Sequence, residues 1–508
     1  GAKGDGWLPS LGYAQPADLP AGNRIIDEAA EQAGRDPREI RRLLNLMGTS
    51  FDASGGGLLQ GPPAQWVEQL LPFVLDYGVS TFLLASDDPT AIRTFAQEVA
   101  PALREAVAAE RSLSAASSAA SAAGTGSAAP EAGTGPVPVR GPAARARRRP
   151  GIAYDALPAS LRRTAVEPGD RDYDRVRSSY VWSGSPGLVL RPATPGQVAD
   201  AVTFARAQDV PVSVRSGGHG ISGRSTNDGG IVIDVGAMNS VEVIDRDRRL
   251  VRVGAGARWG DVARALAPHG LAISSGDYGD VGVGGLATAG GQGFLGRSYG
   301  LTIDHVVGAD VVLADGRVVR ADAANHPDLF WAVRGAGGNM GVVTSFDIEA
   351  AEVGDVVFAV LLQAPDDPAS FLERWGRLVE ASPRRLTPFL TVVPPRRGGP
   401  ALAQTLLVWA GDDAEAAVAA IAPFLELAPV ARQHARLAPY SQIITAYHDE
   451  QHGRSGLRTR SALVDHLDGR TAKLLGDLVA SGGVRLLQVR SVGGAVNDVD
   501  PAATAYAH

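Results

Sequence analysis

Apolar residues along the first hundred positions alternate between helical spacing and short continuous runs. The segments "GNRIIDEAAEQAGRDP" and "PAQWVEQLLPFVLDYG" have the spacing of amphipathic helices, and Gly78 at the end of the second suits a helix C-cap. The short apolar runs "IRRLLNLMGTSF" and "VSTFLLAS" are typical of strands, and the second is expected to be buried. Asp87, Asp88 and Pro89 then open another helix. This alternation predicts parallel βα units over residues 19–110.

A different mixture of strands and helices occupies residues 173–349. Thr194 and Gln197 suit the N-cap and the capping-box partner of one helix. The segments "VPVSVRS", "GIVIDV" and "RLVRVGAG" are strand-like, and "VVGADVVLADGRVVRA" has the pattern of a hairpin with Asp315 and Gly316 at its tip. Because hairpins and βα units are mixed here, the pattern predicts an α+β fold.

A segment of low complexity separates these two parts. Residues 111–150 consist mainly of Ala, Ser, Gly and Pro, which bury too little apolar surface to fold alone, so we expect a flexible linker. An arginine run near its end has two open interpretations, a solvated linker end or a contact with nucleic acid or an acidic surface. The run consists of Arg145, Arg147, Arg148 and Arg149.

The amino-acid composition excludes several reactive groups and classes of partner. The 508 residues carry a formal net charge of −7 and no cysteine, which excludes disulfides, thiolate metal sites and cysteine nucleophiles. The net charge gives no sign of a nucleic-acid partner, and no apolar run reaches the roughly 18 residues of a membrane span. We therefore expect a cytoplasmic protein without a metal, nucleic-acid or membrane partner, and composition does not indicate its oligomeric state.

Two glycine-rich stretches are candidate cofactor loops. In "VRSGGHGISGRSTNDGG", residues 214–230, successive backbone N–H groups could form a nest for phosphate oxygens. The alternative is a tight turn between two strands, with His219 bonded to a nearby carbonyl group. The second stretch, residues 274–306, contains Gly282-x-Gly284-x-x-Ala287, but no clean βαβ unit surrounds that dinucleotide-like pattern. Two such loops fit the two halves of one extended dinucleotide.

The first part of the chain resembles a known enzyme family. The stretches "GDGWLPSL", "IDEAAEQAGRDPREIRRLLN" and "YGVSTFLLASDD" are similar to the last part of the luciferase-like flavin-dependent monooxygenases, which fold as eight-stranded (β/α) barrels. A barrel of this kind needs about 250 residues, so residues 1–110 are expected to be a C-terminal barrel fragment. The resemblance implies that most of the flavin or deazaflavin site lies in the missing portion, and we expect no activity from this segment alone.

Five stretches in the remainder together resemble the berberine-bridge-enzyme-like branch of the vanillyl-alcohol-oxidase flavoproteins. They are "VRSGGHGISG", "GVGGLATAGGQGFLGRSYGLTIDHV", "VVLADGRVV", "HPDLFWAVRGAGGNMGVVTSFDIE" and "RSVGGAVNDVDPAATAYAH". The resemblance implies a two-part PCMH-type FAD-binding domain over residues 151–350 and an α/β substrate domain with an antiparallel sheet over residues 351–508. Relatives continue past "ATAYAH", so the substrate domain is expected to be incomplete at its C-terminal end.

The resemblance also implies how FAD is held. In this family the histidine of "SGGHG" bonds through a ring nitrogen to the methyl group on the benzenoid ring of the flavin, and His219 occupies that position. Many relatives have a second tether, a cysteine, where this chain has Tyr278, so single attachment is expected. The expected FAD contacts are Arg215, Ser216, Gly217, Gly218, His219, Gly220, Ile221, Ser225, Gly276, Tyr278, Val281, Gly282, Gly284, Gly285, Leu286, Gly290, Gly291, Asp304 and Val343.

The implied reaction is oxidation of an alcohol or an activated C–H on a sugar or secondary metabolite. Hydride would pass to the flavin while a base removes a proton, and O2 would reoxidise the flavin to give hydrogen peroxide. Arg490 stands where some relatives carry a glutamate, and an arginine cannot act as a base at neutral pH. The candidate catalytic residues are Tyr278, Tyr447, Gln488 and Arg490, with Tyr440 as a further tyrosine.

Two other functions stay open on the sequence alone. The partial barrel and the early C-terminal end are compatible with a non-catalytic or degenerate flavin-binding scaffold. A flavin reductase on the same scaffold would resemble the enolpyruvyl-glucosamine reductases, which lack the "SGGHG" histidine and need a nicotinamide site that the sequence does not indicate. For the first interpretation, FAD, a small-molecule substrate and O2 are the expected cofactor and partners.

Overall fold

The chain divides into two compact units, Gly1–Glu131 and Ala132–His508. The computed structural model describes residues 6–11, 19–37, 40–47, 50–51, 58–86, 88–107, 140–395, 399–444 and 458–506. Within those residues, no helix is both long enough and apolar enough to cross a membrane.

The first unit contains a three-stranded sheet with helices between its strands. The order of the strands is β1-β2-β3, and both pairings are parallel, which confirms the predicted βα units. Leu44, Trp66 and Phe73 lie in its core. The elements are β1 (Gly6–Trp7), α1 (Leu19–Gln32), β2 (Arg41–Leu46), α2 (Pro63–Leu75), β3 (Thr81–Leu84) and α3 (Pro89–Thr94).

Three local predictions in the first unit can be compared with the structure. The carboxylate of Asp88 accepts hydrogen bonds from the first turn of α3, so the expected helix start is confirmed. Helix α2 ends at Leu75, and Gly78, with a φ of 68°, lies in the turn beyond it, so the predicted C-cap position was wrong. The expectation of a buried β3 was also wrong, because this edge strand packs on one face and Leu83 is exposed on the other.

The second unit begins with two sheets that share one core. A parallel sheet has the order β4-β6-β5, and an antiparallel sheet has the order β11-β10-β12-β8-β7. The strands are β4 (Leu188–Leu190), β5 (Val212–Arg215), β6 (Ile231–Asp234), β7 (Val241–Asp245), β8 (Leu250–Gly254), β9 (Leu271–Ala272), β10 (Val306–Val312), β11 (Val318–Asp322) and β12 (Val342–Glu349). The helices are α4 (Pro142–Arg145), α5 (Tyr173–Val176), α6 (Pro195–Arg206), α7 (Trp259–Leu266), α8 (Val283–Leu286), α9 (Gly296–Tyr299) and α10 (Pro327–Val333).

The hairpin and N-cap signals in this part are confirmed, but the capping box is not, because Oε1 of Gln197 accepts from the Ala193 amide at 2.7 Å and not from that of Thr194. The hydroxyl of Thr194 accepts a hydrogen bond from the Gln197 amide at the start of α6. Strands β10 and β11 form the expected antiparallel hairpin, and Gly316 has a φ of 85°, the left-handed conformation that such a tip requires. The coexistence of a parallel and an antiparallel sheet confirms the α+β prediction.

The remainder of the second unit is a five-stranded antiparallel sheet of order β17-β14-β16-β15-β18. Val357, Ala359 and Leu361 on one face of β14 pack against three helices, while Val356 and Phe358 on the other face pack toward the preceding part. The predicted antiparallel sheet is therefore confirmed, and it lies between two apolar layers. Its elements are β13 (Ala351–Glu352), which pairs with β9, β14 (Asp355–Gln363), α11 (Pro368–Ala381), β15 (Leu386–Val393), β16 (Leu402–Trp409), α12 (Ala414–Leu425), β17 (Val430–Pro439), α13 (Gly469–Ala480) and β18 (Leu487–Arg490).

The end of the expected linker belongs to the second unit. Nε of Arg148 lies 2.7 Å from Oε2 of Glu167, and Nη1 of Arg140 lies 3.1 Å from Oε1 of the same carboxylate. The Glu167 side chain is 2% exposed, and a carboxylate this deeply buried requires cationic partners. The expectation of a linker through residue 150 was therefore wrong for residues 140–150, and the acidic group that Arg148 contacts lies within its own chain. Residues 108–139 lie outside the described ranges.

Candidate functional site

The two glycine-rich loops meet backbone to backbone. A Cβ on Gly217 would lie under 3.0 Å from the Gly282 amide, and a Cβ on Gly282 would lie equally close to the Gly217 amide. The hydroxyl of Ser216 donates to the Ala255 carbonyl at 2.7 Å and accepts from the Gly284 amide at 3.2 Å. Glycine is therefore needed at positions 217 and 282 for the loops to cross, in addition to any contact with a cofactor.

His219 lies at this crossing, between two tyrosines. Its ring stacks on Tyr180 with centroids 4.6 Å apart and an interplanar angle of 19°, and it is tilted against Tyr278 at 5.5 Å. Nε2 of His219 lies 3.2 Å from Oδ2 of Asp280. The side chain is 9% exposed, so the imidazole is held in one orientation by aromatic and charged neighbours.

Arg258 connects the two loops beside His219. Its Nη1 donates to the Gly217 carbonyl at 2.8 Å and also to the Asp280 carbonyl. The same nitrogen lies 3.9 Å from Oδ1 of Asp280. One guanidinium thus bridges the backbone of both loops and lies close to the carboxylate that contacts His219.

Five of the expected cofactor glycines fall into two groups. The backbone of Gly220 and Gly285 faces open space, since nothing approaches a Cβ built on either more closely than 4.0 Å. A Cβ on Gly276 would instead lie under 3.0 Å from Leu286, one on Gly291 from Thr302 and Leu286, and one on Gly290 from the Tyr506 ring. Side-chain packing alone therefore explains why these three positions are glycine.

Several other expected cofactor residues have structural partners. Arg215 pairs with Asp234 at 2.8 Å, where β5 and β6 end. Asp304 accepts a hydrogen bond from the Leu301 amide at 2.7 Å and caps a short 3₁₀ turn. Val343 lies within β12, where it pairs with Val311.

The rest of the first loop lies beside Trp182. The indole Nε1 of Trp182 donates to the Ile221 carbonyl at 2.6 Å, while the Ile221 side chain is exposed. Gly218, with a φ of 72°, turns the chain immediately before His219. The hydroxyl oxygen of Ser225 is buried and has no hydrogen-bond partner among the described residues. Val281 in the second loop is half-buried, and its carbonyl accepts from the Trp259 amide.

The catalytic candidates are placed very differently. Gln488 and Arg490 lie on the same face of β18, and Nη1 of Arg490 lies 2.9 Å from Oδ1 of Asp277 in the second glycine loop. Tyr278 lies beside His219, whereas Tyr440 is fully buried, and desolvation raises the pKa of its hydroxyl. Tyr447 lies outside the described residues. Arg490 therefore contacts the second glycine loop through Asp277, and Tyr440 lies close enough to Ser275 and Asp277 of the same loop for both to influence its pKa.

Four residues of the site were not predicted from the sequence, namely Asp280, Arg258, Tyr180 and Asp277. Asp277 and Asp280 flank Tyr278 in a stretch with few other charges, which was an available signal. Tyr180 and Arg258 lie outside both glycine-rich stretches, so only the folded chain brings them to His219. Among the described residues, no group of three His, Cys, Asp or Glu side chains is arranged to hold a metal ion.

Comparison with known protein families defines the class of this region. Residues 186–322 match the family described as FAD binding domain, and they include both glycine-rich stretches, residues 214–230 and 274–306. This part of the chain is therefore an FAD-binding domain, and FAD is the cofactor that it indicates.

Similar proteins are FAD-linked oxidases. The chain is 41% identical over 202 residues to (R)-6-hydroxynicotine oxidase of Paenarthrobacter nicotinovorans, covering 39% of this chain and 43% of that protein. It is 36% identical over 200 residues to xylooligosaccharide oxidase of Thermothelomyces thermophilus, covering 39% of this chain and 40% of that protein. The solved structure of chitooligosaccharide oxidase superposes with a TM-score of 0.57 at 25% identity, covering 67% of this chain and 77% of that one. The chain thus spans less than half the length of these two sequence relatives.

Proposed function

We propose that this chain is an FAD-dependent oxidase with FAD bonded covalently to His219. It oxidises an alcohol or an activated C–H group of a small organic substrate. The observation that carries the proposal is the imidazole of His219, 9% exposed, at the crossing of two glycine-rich loops, within a domain that matches an FAD-binding family.

The residues at the crossing fit an extended dinucleotide. The open backbone at Gly220 and Gly285 allows a phosphate or ring system to approach closely, because no side chain intervenes. The buried Ser225 hydroxyl, without a partner among the described residues, is suited to donate to a cofactor oxygen. These residues and His219 would hold the cofactor.

At the substrate site, side chains of this chain would orient the substrate and supply one positively charged group. Bound FAD would supply a hydride acceptor that O2 can reoxidise, with release of hydrogen peroxide. Arg490 is held by Asp277 and lies over the Phe389 ring at 5.2 Å, so its guanidinium has a defined position from which to bind a polar substrate group. Tyr278, when ionised, is the candidate base, because it lies beside His219 and arginine as a residue type does not act as a base.

The relatives suggest which substrates to test first. One similar protein is a 6-hydroxynicotine oxidase and another is a xylooligosaccharide oxidase, so the panel should contain 6-hydroxynicotine, xylooligosaccharides and simple alcohols. Hydrogen peroxide release, measured with a coupled peroxidase, separates an oxidase from a dehydrogenase or a reductase. If no substrate reduces the bound flavin, the non-catalytic flavin-binding scaffold is favoured.

The covalent bond is tested by acid precipitation of the purified full chain. We expect yellow, fluorescent pigment to stay in the pellet of the wild type and to be released from His219→Ala. Equal pigment in both pellets would assign the bond to another residue, and a colourless wild-type pellet would contradict covalent attachment. Absorbance of the native protein before precipitation shows separately whether FAD is bound at all.

We further propose that the first unit descends from a luciferase-like monooxygenase barrel and has no activity of its own. Its parallel strands β1, β2 and β3 with intervening helices support this origin. In the full-length His219→Ala chain, stripped of FAD, titration with FMN or a deazaflavin should give no second binding phase. A tight second phase would show that this unit holds a flavin site.

A further inference from the structure

Three side chains around the loop crossing form a chain of charged or polar contacts. Arg258 lies at one end, the carboxylate of Asp280 in the middle, and the imidazole of His219 at the other end. The Asp280 side chain is 16% exposed and that of His219 is 9% exposed, so water competes little for this contact. The Arg258 bond to the Gly217 carbonyl sets the distance between the two loops that carry the other residues.

The carboxylate determines which ring nitrogen of His219 carries the proton. An ionised carboxylate only accepts hydrogen bonds, so the nitrogen that faces it, Nε2, must be the donor. In a neutral imidazole one nitrogen donates and the other carries a lone pair. Nδ1 is therefore the nucleophilic nitrogen. Stacking on Tyr180 opposes a ring flip that would exchange the two nitrogens.

We propose that Asp280 is a positioning residue for covalent attachment of FAD, acting by fixing the Nε2–H tautomer of His219. This inference rests on the proposed covalent bond to His219. In the attachment, a C–H bond of the flavin methyl group breaks and a bond from Nδ1 to that carbon forms. The methyl carbon loses two electrons to the flavin ring and releases the proton of the broken C–H bond, and Nε2 of His219 releases a second proton. O2 then takes these two electrons and two protons to give hydrogen peroxide. The carboxylate can share the Nε2 proton as positive charge develops on the ring.

The variant Asp280→Asn tests the tautomer directly. An asparagine is nearly isosteric, but its amide nitrogen can donate to Nε2, which would leave the proton on Nδ1 and remove the lone pair needed there. We expect Asp280→Asn to bind FAD in the native state while the acid-stable fraction falls at least about tenfold, the usual scale for losing a residue that orients another. Asp280→Glu keeps a carboxylate and should keep most of the acid-stable flavin.

A control and a rescue separate positioning from general structural damage. Asp228→Asn changes another aspartate of the first loop, whose carboxylate bonds to Ser185 and not to His219, and it should leave the acid-stable fraction unchanged. For Asp280→Ala, added formate should restore part of the attachment rate, since a free carboxylate can occupy the vacated position. A purely structural role would not respond to formate.

The outcomes also distinguish this inference from the proposed function. Unchanged acid-stable flavin in Asp280→Asn, with a covalently loaded wild type, would overturn the role of Asp280 and leave the bond to His219 intact. A wild type that binds FAD without any acid-stable fraction would overturn the covalent bond itself, and the role of Asp280 with it. Loss of acid-stable flavin in Asp280→Asn and Asp280→Glu alike, without formate rescue in Asp280→Ala, would also overturn the tautomer mechanism.

Discussion

Substitution of Gly217 by alanine should break the contact between the two glycine loops. The new Cβ would lie under 3.0 Å from the amide nitrogen and the Cα of Gly282, and also from Nη1 of Arg258. Two of these three atoms belong to the backbone of the second loop, so a side-chain rotation cannot relieve the clash. Overpacking of this kind costs about 1–3 kcal/mol, and the rigid neighbours here favour the upper end, about 3 kcal/mol.

Gly285→Ala is the matched control within the same site. Nothing lies within 4 Å of a Cβ built on Gly285, and the residue belongs to helix α8. Alanine there should therefore leave the free energy of unfolding unchanged or raise it by up to about 1 kcal/mol. If the open backbone at Gly285 contacts FAD, however, the added methyl group should lower the amount of FAD that copurifies with the protein.

Two measurements on the full chain separate these effects. Urea unfolding followed by circular dichroism gives the unfolding midpoints of the chain, of which the variant shifts only that of the second unit, and the absorbance of the native protein gives its FAD content. We expect Gly217→Ala to unfold at lower urea and to lose FAD, and Gly285→Ala to lose FAD alone. An unchanged unfolding midpoint in Gly217→Ala would refute the argument that the loops are in backbone contact at this point.

Three further variants test other parts of the second unit. Burial raises the pKa of Asp347, but hydrogen bonds from Arg252 and Arg320 outweigh burial, so the net shift of the pKa is downward. This carboxylate therefore stabilises the fold above its unfolded-state pKa, and the stabilisation is lost as the pH falls through the folded-state pKa. The free energy of unfolding should depend less on acid pH in Asp347→Asn than in the wild type, and an identical pH profile would contradict this. Glu167→Ala leaves two arginines without their buried partner and should cost about 3 kcal/mol in urea unfolding, whereas no change would show that solvent replaces it. Arg490→Met should keep acid-stable FAD, while turnover of the identified substrate falls about 10–100-fold because a charge-assisted hydrogen bond to the substrate is lost. Unchanged turnover would show that Arg490 does not belong to the substrate site.

Local sequence patterns predicted much of the fold because their physical causes are local. The Thr194 cap, the Asp315-Gly316 hairpin and the parallel βα units follow from hydrogen bonds and backbone preferences within a few residues. The glycine-rich stretch around His219 also indicated a cofactor loop, since only a ligand or a close approach of chains explains so many glycines together. The matched FAD-binding family over residues 186–322 agrees with that interpretation.

Errors arose where distant parts of the chain decide the environment. Burial of β3 depends on which strand lies at the sheet edge, and the attachment of residues 140–150 depends on a carboxylate at position 167. The burial of Tyr440, which is 3% exposed, was likewise not visible in the sequence, and its catalytic role stays a prediction. The hydrophobic periodicity of a single segment does not reveal contacts with distant parts of the chain.

The sequence by itself determined most of the elements, the two glycine-rich loops and the histidine that is the candidate for holding the cofactor. Only the tertiary structure decided that the loops cross at Gly217 and Gly282 and that Asp280 faces Nε2 of His219, because these residues are some sixty positions apart along the chain. Hydrogen bonds and steric contact act over a few ångströms in space, so the chemistry of His219 depends on neighbours that chain order does not reveal.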